Sequence, residues 1–184
     1  MNMPYKTPVF VSTLFLGAAL FYLIGGLAMA AAYAILWIDK IIFGMLGPIR
    51  YLGVEFTTIG TIILGIAYGA IPAFLFSIIV IPLLHSSKYV FLPLPQPEWP
   101  FFIPHPNNIV DAIGALCAGI LWAVGIKELL ILTAIVVIIK DAGYGISEKM
   151  MFGKPIDYFS AVMYLIFNAL LAFQFGPAIL SMAA

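Results

Sequence analysis

Four residues in an otherwise apolar chain have types that could bind or orient a solute: Glu55, Asp111, Lys127 and Asn168. Glu55 and Asp111 each open a long apolar run, and Lys127 with Glu128 interrupts one. Asn168 lies deep inside another. Ionisable groups within a membrane are costly, so each is a functional candidate by default. Each also has a structural reading. Glu55 and Asp111 suit the positive end of a helix dipole. Lys127-Glu128 suits a wet turn, since adjacent helical residues do not face each other. Lys140-Asp141 reads in the same way as a helix end. Asn168 and Gln174 suit hydrogen bonds to a neighbouring helix.

The chain that must position these groups has 184 residues, 64 % of them hydrophobic and 9 % charged. Soluble domains carry about 25 % charged residues. Lipid is the solvent that tolerates so apolar an exterior, and it demands helices or closed barrels. The expected fold is all-α, a single membrane domain over residues 1–184. A formal net charge of zero excludes the basic field that nucleic acid would require. Cys117, the only cysteine, rules out an intrachain disulfide and sits in an apolar run as a buried thiol. His85 and His105 have no partner at metal-ligand spacing. Phosphate-loop, zinc-helix, dinucleotide and nucleophile-elbow patterns are all missing, which makes an intramembrane enzyme on a lipid substrate the weakest reading. No particular cofactor is implied.

Four apolar blocks stand out. Residues 9–38 hold no charge and exceed a signal-peptide core, so a retained span is expected. Gly25-Gly26 in their middle permits close packing or a kink. Residues 56–84 would extend about 44 Å as one helix, against a hydrocarbon core of about 30 Å. Gly69, Pro72 and Pro82 interrupt them, so a kinked helix competes with a hairpin. Residues 109–139 pose the same choice at Lys127-Glu128, and residues 158–183 form the last block.

Six spans are favoured over four, because four would leave two helices that overshoot the bilayer. The fifth must then run through Lys140-Asp141. Lysine and arginine fall five to two between the two faces in either count, which places both ends of the chain outside the cytoplasm. Residues 85–108 carry Pro93, Pro95, Pro97, Pro100, Pro104 and Pro106 among aromatics, and are expected to form an ordered interfacial loop.

Gly26, Ala30 and Ala34 recur at four-residue intervals, beside Ala28 and Ala32. Small residues at this spacing let helix backbones approach closely. They mark an interface, within the chain or with another membrane subunit.

Gly53-Val54-Glu55-Phe56, Gly60, Gly65, Tyr68-Gly69 and Ala73 resemble the second and third helices of the substrate-binding S components of energy-coupling-factor vitamin transporters. Ala28-x-x-x-Ala32 and Ala30-x-x-x-Ala34 are similar to the pattern by which that family's first helix docks on its coupling subunit, and the run from Tyr164 to Asn168 is similar to a motif in its last helix. The resemblance covers about half the chain. It implies six helices, a small organic ligand in the bundle and a membrane partner. The proline-rich segment and the charge bias depart from the family. The resulting expectation is a transport protein holding a small solute in an otherwise apolar site through Glu55, Asp111, Lys127 and Asn168. The alternative is a non-catalytic subunit of a larger membrane complex.

Overall fold

The computed structural model describes residues 6–46, 52–91, 100 and 103–183. They form six helices and no strand: α1 (Lys6–Trp37), α2 (Thr57–Tyr68), α3 (Ala70–Phe91), α4 (Pro106–Ala123), α5 (Leu129–Phe152) and α6 (Tyr158–Ala183). Four helical segments are long and apolar enough to cross a membrane: Pro8–Phe43, Ala70–Phe91, Leu129–Phe152 and Tyr158–Ala183. Large apolar side chains such as Phe15, Leu23, Val124 and Phe173 cover the outside. The chain is a helical membrane protein.

Helix α1 is not one rod. Thr13 and Tyr33 would lie about 30 Å apart along a straight helix. Yet the Tyr33 hydroxyl donates to the Thr13 carbonyl at 2.9 Å, and Trp37 Nε1 donates to Thr13 Oγ1 at 3.0 Å. The rings of Phe10 and Trp37 are 5.4 Å apart. Residues 6–25 therefore fold back on residues 27–37. The reversal sits at Gly26, whose φ of 71° and ψ of −158° a side chain would strongly disfavour. Gly25-Gly26 thus makes a hairpin, which is more than the close packing or kink expected there.

The second and third blocks are hairpins too. Gly69, with φ 81°, turns α2 into α3, and Gly125, with φ 105°, lies in the turn from α4 to α5. Helix α5 does run through Lys140 and Asp141. Helix α3 continues past His85 to Phe91, and α4 starts at Pro106. The connector between them is thus shorter at both ends than residues 85–108; Pro93, Pro95, Pro97, Trp99, Phe101 and Phe102 lie outside the described residues.

Three hairpins and a final helix give seven antiparallel segments. The three glycine turns gather at one end of the bundle, where Tyr68 donates to the Gly25 carbonyl and Leu129 packs against Gly176. The other end holds the close of α1, the start of α2, the end of α3 and the start of α4. The first arm of α1 starts here, since the Phe10 ring packs at a tilt against Trp37 and Phe91. Residues 6 and 183 thus sit at opposite ends, whereas an even count would have put them together.

Packing at the glycine-turn end is backbone on backbone. A Cβ on Gly65 would lie 2.7 Å from the Gly119 nitrogen, and one on Gly119 would overlap the backbone of Ala70. Helix α4 is thereby drawn into the α2–α3 hairpin. Ala28 and Ala32 supply the buried small face of α1, with the Ala32 carbonyl against Gly60. Gly26 is the hinge itself, and Ala30 and Ala34 are half-buried.

Candidate functional site

Beyond Trp37 the helix widens into a π-helical segment, Ile38–Phe43, which carries Asp39 and Lys40. Such widenings re-aim side chains and are frequent at functional sites. Asp39 turns towards the start of α2, which lacks a capping side chain of its own. It accepts from the Phe56 amide at 2.7 Å and from the Thr57 hydroxyl at 2.6 Å. Asp39 thus satisfies a donor that a helix start leaves unpaired.

Lys40 continues the chain of charges. Its ammonium lies 3.5 Å from Asp39 Oδ2 and 2.9 Å from Asp111 Oδ2. The other Asp111 oxygen, Oδ1, lies 2.9 Å from Lys140 Nζ and accepts from the Tyr144 hydroxyl. Lys140 reaches Glu55 Oε1 at 2.9 Å and Thr58 Oγ1 at 2.7 Å, so its three protons all have acceptors. Tyr164 pairs with Thr58 and reaches Glu55 Oε1 at 3.5 Å. The result is an alternating row, Asp39–Lys40–Asp111–Lys140–Glu55, drawn from the π-helical segment, α4, α5 and the approach to α2. Gly114 makes it possible: a Cβ there would lie 2.7 Å from the Lys140 stem.

Asp39, Lys40, Asp111 and Glu55 of this row line the inner wall of a cavity of about 1030 Å³ at this end of the bundle, with Lys140 behind them. That is the upper end of the usual range for small-molecule sites. Its members differ in access. The side chains of Asp111 and Lys140 are 1 % and 0 % exposed, whereas that of Glu55 is 22 % exposed. The rim is tied by Asn107, which donates to Glu148 Oε1 at 3.3 Å and accepts from Ser147 at 2.8 Å. His105 caps α4 by accepting from the Asn107 amide at 3.2 Å, and its ring stacks between His85 and Phe152.

Of the four residues expected to share a site, Glu55 and Asp111 meet here, joined through Lys140. Lys127 does not. It is exposed at the α4–α5 turn, donates to the Trp122 carbonyl at 2.7 Å and lies 4.1 Å from the centre of the Trp122 ring. The wet-turn reading describes it, because the third block is a hairpin. Asn168 is buried one turn deeper than Tyr164, and its amide donates to the Tyr164 carbonyl within its own helix at 3.0 Å. The cavity is not otherwise apolar: Asp39, Lys40, Lys88, Asp141 and Glu148 also line it. Lys140, expected at a helix end, is buried mid-helix and joins the two carboxylates.

Sequence reasoning missed Lys140, Asp39, Lys40, Tyr144 and Tyr164. One signal was present: Lys140 and Tyr144, four residues apart, share a helix face once α5 runs through position 140. Comparison of the chain with known protein families, with curated proteins and with solved structures finds no match.

Proposed function

We propose that this chain is a membrane transport protein that binds a small organic solute in the cavity at the charged end of its bundle. One observation carries the reading. Glu55 and Asp111, from segments far apart in sequence, are held by Lys140 at the wall of a cavity large enough for an organic molecule. A purely structural ion network has no need of such a space beside it. The resemblance to S components of vitamin transporters agrees with a solute held in a bundle. In that setting the half-buried Ala30 and Ala34, beside the Gly26 hinge, are the surface offered to a membrane partner.

The arrangement also supports a topology of seven passes with the cavity facing the cytoplasm. The hairpin at Gly26 adds one reversal to the six-span count. It moves Lys6 to the face that already holds Lys40, Arg50, Lys88, Lys149 and Lys154, and leaves Lys127 alone opposite. The positive-inside bias rises from five against two to six against one. Residue 6 is then cytoplasmic and residue 183 is not. A reporter active only in the cytoplasm should give signal ahead of residue 1 and none after residue 184; equal signals from both would overturn the odd count.

The binding reading is tested on purified protein by native mass spectrometry and by thermal unfolding against a library of small metabolites. A retained non-lipid molecule, or a saturable rise in melting temperature that weakens in Glu55→Gln, is expected. No bound molecule and no stabilisation by any compound would overturn it.

A further inference from the structure

The wall charges differ in how completely they are used, and that difference points to the ligand. Asp111 receives Lys40, Lys140 and Tyr144, and Asp39 receives Phe56, Thr57 and Lys40. In both, each oxygen already has a donor. Glu55 is different. Lys140, Tyr144 and Tyr164 all approach the same oxygen, Oε1, at 2.9, 3.4 and 3.5 Å. Oε2 accepts from no described residue, and this side chain is the one in the row with real access to the cavity. Asp141, also on the cavity wall and within electrostatic reach of Glu55, makes no hydrogen bond or ion pair with any described residue.

From this we infer that the solute carries a protonated amine, received by Glu55 Oε2 together with Asp141. The inference rests on the reading of the cavity as a solute site. Both carboxylates line the same cavity and neither Glu55 Oε2 nor Asp141 has a donor among the described residues, so the partner that would complete them is a donor of positive charge. The wider wall agrees: among the described residues six carboxylates line the cavity against three lysines, with Lys140 behind it as a fourth cation. Hydrogen bonds from an ammonium to carboxylates are the short, strong kind. Tyr144 and Tyr164 flank the place; their rings already stand 5.5 Å from the Lys140 ammonium, so the same pair suits a second cation or its carbon stem.

A bare metal ion fits less well. A hard divalent cation needs about six oxygens. The remaining oxygens of the row are committed to lysine, threonine, tyrosine and backbone-amide donors, and Lys140 holds a positive charge 2.9 Å from Glu55. The cavity volume likewise matches an organic molecule far better than an ion.

The test is a binding series on the full chain in detergent, read by thermal unfolding and by isothermal calorimetry. Ethanolamine, agmatine and spermidine represent amines; succinate and citrate represent anions; glycerol and glucose represent neutral solutes. A parallel arm adds phosphatidylethanolamine to the micelle, which separates a free amine from a lipid headgroup amine. Binding confined to the amines is expected, with affinity at least tenfold lower in Glu55→Gln and lowered also in Asp141→Asn. Asp141→Asn guards against misfolding in the first variant, because Asp141 makes no hydrogen bond or ion pair with a described residue. Binding of anions or neutral solutes with no loss in either variant would overturn the amine while leaving a solute site standing. Binding of nothing in any class would overturn both.

Discussion

The two ends of this bundle solve opposite problems. At the glycine-turn end, three hairpins close on Gly26, Gly69 and Gly125, and backbones meet at Gly65, Gly119 and Ala70. Lys127 and Glu128 are the only charges of the described residues there. At the other end, the helix widens beyond Trp37 and a row of five buried or half-buried charges borders a cavity. In lipid, helices gain little from hiding apolar surface from one another, so close approach and interhelical polar contacts must hold them. The first end uses close approach, the second polar contacts. Backbone close-packing at the drier end, and polar contacts that need no such close approach at the other, leave the charged end room for an open space.

If that division is right, the largest effect comes from breaking the row at its centre. Asp111 is the counter-ion of both Lys40 and Lys140, and all three are buried. Removing one partner of a buried pair typically costs about 3–5 kcal/mol, because the other charge is left uncompensated. Asp111→Asn should therefore lower stability by about that amount in denaturant unfolding of the detergent-solubilised protein. Adding Lys140→Met should recover part of the loss, since both partners then go. A stable Asp111→Asn protein, or a double variant less stable than the single, would mean that the row does not hold the helices together.

The next effect belongs to the opposite end. Gly119→Ala places a methyl against the backbone of Ala70, where no side chain can move aside. Overpacking of this kind costs about 1–3 kcal/mol. The melting temperature should fall while solute affinity stays within about twofold, because the clash is remote from the cavity. A loss of affinity as large as that from Glu55→Gln would show that the two ends are not separable.

Much of the dry end was legible in the chain. Gly69, Pro72 and Pro82 in one overlong apolar block, and the charged pair Lys127-Glu128 in another, mark candidate turns through the mismatch between helix length and bilayer thickness. The same argument applied to residues 9–38, yet their uninterrupted apolarity concealed the hairpin. Gly25-Gly26 was its only mark. The charged end was half legible. Glu55 and Asp111 stand out as lone carboxylates, but the polar, glycine-rich residues after Lys140 give it the look of a helix end. Asp39 and Lys40 looked like connector charges; the π-helical widening that turns them inward has no clear sequence signature. Pairings across the fold, such as Lys40 with Asp111, depend on tertiary approach that no spacing encodes.

The smallest effect is expected at Lys127, and it sharpens the contrast because it was a site candidate from its charge alone. Its ammonium is exposed, is bound to a carbonyl five residues back and rests on the Trp122 ring. An exposed cation over an aromatic face contributes about 0.5–1 kcal/mol, and water replaces the hydrogen bond readily. The turn itself is made by Gly125, so its geometry does not depend on the lysine. Lys127→Gln should therefore cost less than about 1 kcal/mol and leave the affinity of any amine unchanged. Removing the sole cation from that face should also strengthen, rather than reverse, the orientation read by cytoplasmic reporters. An affinity loss in Lys127→Gln comparable to that of Glu55→Gln would show that the glycine-turn end takes part in binding, and the division between the two ends would fail.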